Sequence, residues 1–165
     1  MVAVWINRLR PADAQILTKL FAAFADAGYD KFFHPHPFEA ATAALISHHN
    51  GADYYCAGIS DGMAVSYGFL RGYEAGYAKP SLGIAVHPQM RGNGYAGCMM
   101  LHLHDVAQRR HSPGVRLKVY PNNDRAIRLY KHFGYIFSER LENEQCVGSL
   151  EFAPPELGRT TAKAK

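Results

Sequence analysis

Residues 87–100 read HPQMRGNGYAGCMM, and the two glycines around Asn93 constrain the fold more than any other stretch. The preceding segment, SLGIAV, has the composition of a strand, and it must end at His87-Pro88 because proline cannot extend a hydrogen-bonded ladder. From Gly94 onward, Ala96, Met99, Met100, Leu103, Val106 and Ala107 recur at the spacing of a helix with one buried face. A strand, a loop almost free of side chains and a helix N-terminus together make an anion site. Free N–H groups and the positive end of the helix converge there, and glycine lets a phosphate approach the backbone. The unit belongs in a layered domain of mixed α/β class, with the loop between a central strand and its helix.

Three kinds of phosphate loop compete for this stretch. A Walker loop needs Gly-Lys-Ser/Thr, which does not occur here. A dinucleotide loop needs G-x-G-x-x-G after the first strand and an acidic residue about 20 positions further on. Gly92, Gly94 and Gly97 reproduce that string, but the loop lies mid-chain and position 116 is Arg. The third kind, a coenzyme A loop, is taken up below.

The rest of the chain supplies the frame. VAVWINRL reads as a first strand. Pro11 opens a helix to about residue 27, with Ile16, Leu17, Leu20, Phe21 and Phe24 at helical spacing, and Gly28 closes it. YDKFFHPHPF is an aromatic loop broken by prolines. A second helix is expected over 39–48, with Ala41, Ala44, Leu45 and His48 on one face. ADYYCAGI and MAVSYGFLRG are strands joined by Ser60-Asp61-Gly62, a hairpin signal, and GYEAGYAKP is a glycine-rich loop. VRLKVY alternates, with Val115, Leu117 and Val119 on one side. Asn122, Asn123 and Asp124 suit a helix cap. The short helix they open runs through Tyr130 and His132 to Gly134, and YIFSER and QCVGSLEF form a closing hairpin.

With 165 residues the chain suits one domain, expected over 1–153, followed by a basic tail over 154–165 expected to be disordered. No apolar run approaches the roughly 20 residues of a membrane span, and no signal peptide is apparent, so the expected compartment is the cytoplasm. The net charge of +4 lacks a dense basic stripe, so no nucleic acid partner is expected; an anionic ligand accounts for the charge as well. Three scattered cysteines, Cys56, Cys98 and Cys146, are expected as small buried hydrophobes rather than a disulfide framework. His48-His49 and His102-x-His104 lack the second partners of a zinc site, so no metal is expected.

The segment SLGIAVHPQMRGNGYAGCMM resembles the cofactor motif of the GNAT superfamily of acyl-CoA N-acyltransferases, Gln/Arg-x-x-Gly-x-Gly/Ala, here on Arg91, Gly94 and Ala96. LKVYPNNDRAIRLYKHFGYIF resembles that superfamily's second signature, on Asn123, Ala126, Leu129, Tyr130 and Gly134, with Tyr135 where the pattern has Phe. The resemblance covers about residues 50–140. It implies a mostly antiparallel sheet of about seven strands, split between the fourth and fifth and flanked by about four helices. It also implies acetyl-CoA as co-substrate: the strand at Ile84, Ala85 and Val86 pairs with the pantetheine arm, and the N–H groups of Arg91, Gly92, Asn93, Gly94, Tyr95 and Ala96 hold the pyrophosphate. Asn123 contacts the pantetheine side, the acetyl thioester sits in the split, and Tyr130 stands where the superfamily places its proton donor.

Acyl transfer needs a neutral amine, a polarised carbonyl and a proton for the leaving thiolate. A phenol, with a reference pKa of about 10, is a reasonable donor to a thiolate of about 8.5. Many members of the superfamily carry a Glu on the strand before the loop, and SLGIAV carries none. Glu74 and His87 are the nearby candidates for the base, with a water chain as the alternative. The acceptor is expected to be the primary amine of a small molecule, and the resemblance implies Phe33, His34, His36, Tyr73 and Tyr77 around it, since FFHPHPF and YEAGY fall where the superfamily builds its acceptor pocket. An amino sugar, free or carried on a nucleotide, suits the tyrosines and the positive chain. A protein N-terminus, a small amine metabolite and a non-catalytic acyl-CoA-binding regulatory module remain open alternatives, as does a homodimer.

Overall fold

A computed structural model describes residues 3–154; beyond Pro154, the expected tail lies outside them. Seven strands, β1 (Trp5–Arg8), β2 (Tyr54–Ser60), β3 (Met63–Arg71), β4 (Ser81–Val86), β5 (Gly114–Val119), β6 (Ile136–Glu142) and β7 (Gln145–Glu151), form one sheet in the order β1-β2-β3-β4-β5-β7-β6. Four helices, α1 (Ala14–Asp26), α2 (Ala40–Ser47), α3 (Tyr95–Arg109) and α4 (Asp124–His132), accompany it. Every strand pairing is antiparallel except that of β4 with β5, which is parallel and whose only register pair is Ser81 with Arg116. Beyond that pair the two strands part, as the resemblance implied.

The sheet is buried on both sides. Leu17, Leu20, Phe21 and Phe24 of α1 pack with Tyr67 and Phe69 of β3 in one core. Met99, Met100, Leu103 and Ala107 of α3 pack with Leu70, Leu82 and Leu117 in the other. The period-two alternation of a strand sends Tyr67 and Phe69 to the α1 side. On the α3 side a Cβ at Gly68 would stand 2.7 Å from the Met99 sulfur, so this residue must be small for α3 to lie close.

Two expectations are corrected. The buried face of α2 carries Ala43, Ile46 and Ser47, while Leu45 is 75% exposed. Nearly every residue of AATAALIS is small or apolar, so its spacing selects no face, and contact with α1 selects it instead. Only Cys56 is a buried cysteine; Cys98 lies exposed on α3 and Cys146 is half-buried on β7.

Burial pushes several phenols up, Tyr54 to about 12 and Tyr67 and Tyr135 also upward. In the unfolded chain they ionise near 10. Between these values the folded state holds more protons than the unfolded one, so stability falls as pH rises. The buried Cys56 thiol, also pushed up, adds to this, so from neutral pH the melting temperature should hold to about pH 8.5 and then fall progressively to about pH 12. A scanning-calorimetry series against pH checks this; a level profile through pH 11 would contradict it.

Candidate active site

A cleft of about 1050 Å³ occupies the split between β4 and β5. One wall is the end of β4, at Ile84, Ala85 and Val86; the opposite wall is Lys118 and Val119 of β5. The glycine loop forms its floor with Arg91, Gly92, Gly94, Tyr95 and Ala96, and α4 contributes Asn123, Ala126, Leu129 and Tyr130. Residues 27–33, ahead of α2, close a third side with Tyr29, Lys31, Phe32 and Phe33.

The loop has the geometry of an anion cradle. Gly92 and Gly94 both stand at φ +83°, a left-handed conformation that side chains oppose, and nothing lies within 4 Å of where their Cβ atoms would be. The first bond of α3 is Cys98 N–H to the Gly94 carbonyl, so the N–H groups of Tyr95, Ala96 and Gly97 precede the ladder and have no intrahelical acceptor. Asn93 turns its side chain back, its Nδ2 donating to the Met90 carbonyl at 3.1 Å, so this residue shapes the loop and only its backbone serves the cradle.

Asn123 caps α4, its Oδ1 accepting from the Ala126 N–H at 3.3 Å. Tyr130 lies on the same helix, facing the same cleft. It is 7% exposed, and burial pushes its phenol up to about 12, so it holds its proton at neutral pH. No protein group hydrogen-bonds that hydroxyl among the described residues.

Several expected site residues lie elsewhere. Glu74 sits in the loop between β3 and β4, at the closed end of the split, 3.6 Å from His49, because that loop returns the chain to Ser81 rather than to Val86. Tyr73 bonds Ser112 in the same region, and Tyr77 is exposed there. His87 follows β4 but faces a small hollow with Ile16, Lys19 and Met63, its Nδ1 accepting from the Gln89 N–H. Neither candidate base lines the cleft.

The aromatic loop divides. Phe33 lines the cleft and stacks on Phe38 and Phe69. The His34 ring bonds the Tyr120 hydroxyl at 2.7 Å, joining this loop to the chain just past β5. His36 is half-buried at the edge of the α1-side core: it bonds the Tyr67 hydroxyl at 3.0 Å, packs on Phe21 and Phe38, and burial holds its pKa below the usual imidazole value.

Tyr29, Lys31, Phe32 and Arg125 line the cleft without having been singled out in the sequence. Tyr29 stands directly after the helix-closing Gly28, but nothing in its spacing marks it, because its partners lie 57 and 62 residues away.

Residues 17–135 match the acetyltransferase (GNAT) family. The chain belongs to that family. The GNAT domain of S. lividans PAT superposes with a TM-score of 0.78 at 19% identity, over 89% of each chain. PaiA N-acetyltransferase from Thermoplasma acidophilum, solved in complex with coenzyme A, superposes at 0.74 with 13% identity, over 91% of this chain and 99% of that one. The ribosomal-protein-S18-alanine N-acetyltransferase of Escherichia coli gives 0.67 at 17% identity, over 94% and 99%. No curated protein matches the sequence. At these identities the structural likeness concerns the fold; acyl-CoA N-acetyltransferase activity in general comes with the family. The cradle, the basic side chains and the open cleft suit the phosphates and arm of acetyl-CoA. Among the described residues no helix is long and apolar enough to cross a membrane.

Gly94→Glu should abolish acetyl-CoA binding in a folded protein. A side chain at Gly94 meets open space, so the loss comes from its charge and its left-handed backbone rather than from collision. Calorimetric titration of the variant checks this; an unchanged affinity would remove the loop from the binding site.

Proposed function

We propose that the protein transfers the acetyl group of acetyl-CoA directly to the primary amine of a small molecule, with Tyr130 as general acid. The observation that carries this reading is the Tyr130 phenol, buried yet lining the cleft that the anion cradle also lines. The amine attacks the thioester carbonyl, a C–N bond forms, the C–S bond breaks, and the departing thiolate takes the phenol's proton. Burial pushes the phenol to about 12, above a thiol's reference value of about 8.5, so it holds its proton until the thiolate departs. The backbone N–H groups of Ile84 and Val86, on the open edge of β4, are the candidates for polarising the carbonyl, while that of Ala85 turns to β3.

With Glu74 and His87 outside the cleft, the amine's proton goes to solvent. That favours an acceptor of modest basicity, near 8, over a lysine-type amine near 10.4. Charge points the same way. Lys31, Arg91 and Arg125 line the cleft with one carboxylate, Asp124, and Lys118, also at its wall, is paired with Glu142 at 2.9 Å. A polyamine gains little there, whereas an amino sugar carried on a nucleotide brings both a weakly basic amine and negative charge. Release of coenzyme A thiol across an amine panel tests this, with nucleotide-linked amino sugars expected to turn over and spermidine not. Binding without turnover on any amine would favour a non-catalytic acyl-CoA module.

Tyr130→Phe should lower kcat by about 10² or more, leave the KM for acetyl-CoA nearly unchanged and keep the melting temperature. A matched loss of stability would mark Tyr130 as a core aromatic; wild-type turnover, measured where chemistry limits the rate, would remove it as the acid.

The pH profile follows from the same assignment. Turnover should rise through the acceptor's pKa and then hold level to about pH 10. Tyr130 must be protonated to act, and its pKa near 12 keeps it so throughout that range. A descending limb centred near 10, in a protein still folded, would contradict the assignment.

A further inference from the structure

Residues 27–39 connect α1 to α2 as a strap along the cleft, and Tyr29 fastens this strap to two other parts of the site. Its ring lies between the Phe24 ring, stacked at 4.8 Å and 11°, and the Arg91 guanidinium, 4.6 Å from its centroid. Its hydroxyl donates to the Val86 carbonyl at 2.6 Å and accepts from Arg91 Nε at 2.7 Å. One phenol thus holds the last residue of β4 and the arginine of the anion loop. Gly28, at φ +68°, makes the reversal that brings it there.

Tyr29 engages the guanidinium only through Nε and the ring face. No other protein group bonds Arg91's side chain among the described residues, which leaves both Nη groups for an anion in the cleft that Arg91 lines. An anion drawn to those groups holds Arg91, Arg91 holds Tyr29, and Tyr29 holds the strap that carries Phe33 to the cleft wall and His34 to Tyr120. We propose that Tyr29 is a positioning residue that couples the anion loop to the strap, so that coenzyme A in the loop tightens residues 28–39. Coupling of this kind is reciprocal: whatever orders the strap also tightens the loop. The inference rests on the reading of that loop as the coenzyme A site.

Tyr29→Phe tests it, because the ring, its stacking on Phe24 and its contact with the guanidinium remain while both hydrogen bonds are lost. In the wild type, coenzyme A should slow amide hydrogen exchange across 28–39. In the variant, affinity for coenzyme A by calorimetry should fall about tenfold, and the ligand should no longer slow exchange in the strap. In an Arg91→Ala background, Tyr29→Phe should add no further loss of affinity, whereas a merely structural tyrosine gives additive losses. Should Tyr29→Phe unfold, Arg91→Lys, which keeps the charge and lacks the Nε–H donor, should likewise lose the protection of 28–39 on binding. Unchanged affinity and unchanged protection in the variants would overturn the coupling while leaving the coenzyme A site intact. No coenzyme A binding by the wild type would overturn the loop assignment, and this inference with it.

Discussion

β4 and β5 share a single register pair, Ser81 with Arg116, and then diverge, and the arrangement of the site depends on that divergence. A strand edge left without a neighbour carries unpaired N–H and C=O groups, which must find partners or stay solvated. At the end of β4 the Val86 carbonyl is satisfied by the Tyr29 hydroxyl. Backbone groups alternate along a strand, so those of Ala85 turn to Tyr67 of β3 and those of Ile84 face a cleft wide enough for an extended ligand. The split thus turns groups that an ordinary sheet would use up into a binding surface, and the α3 crossover sets the glycine loop at its open end.

Holding a sheet open takes support on both faces. On the α1 side, Phe21 meets Phe24, His36, Phe38 and Tyr67 in one aromatic cluster, and this anchors both ends of the strap. On the α3 side, Met99 and Leu103 lie over Gly68, so α3 sits close to β3 and its N-terminus is fixed relative to β4. Substitutions in either core can therefore disturb binding without touching the cleft, by shifting the loop or the strap that the core supports.

The site was partly legible in the sequence. The glycine loop, Asn123 and Tyr130 announce themselves through local patterns: left-handed glycines before a helix, a cap residue, and a tyrosine nearly two turns further along the same helix. These relations span few residues, and helix geometry converts them directly into shared facing. Glu74 and His87 are suggested by nearness in sequence to β4, and Tyr73 and Tyr77 by the resemblance, but neither says which end or which face of a strand a loop residue occupies. His36 is expected beside Phe33 around the acceptor, yet three positions along an irregular loop are enough to turn it against Tyr67 and Phe21 at the edge of the core.

By itself the sequence determined the mixed α/β class, the strand–loop–helix anion cradle, the family and the helix that presents Asn123 and Tyr130, because each is written in spacings of a few residues that backbone geometry converts into structure. The tertiary structure alone decided that Tyr29 joins Val86 to Arg91, that His34 meets Tyr120 across 86 residues of chain, and that neither Glu74 nor His87 reaches the cleft. Those relations depend on strand order, on the divergence of β4 from β5 and on the path of an irregular strap. All three follow from packing between segments far apart in the chain, which no local spacing records.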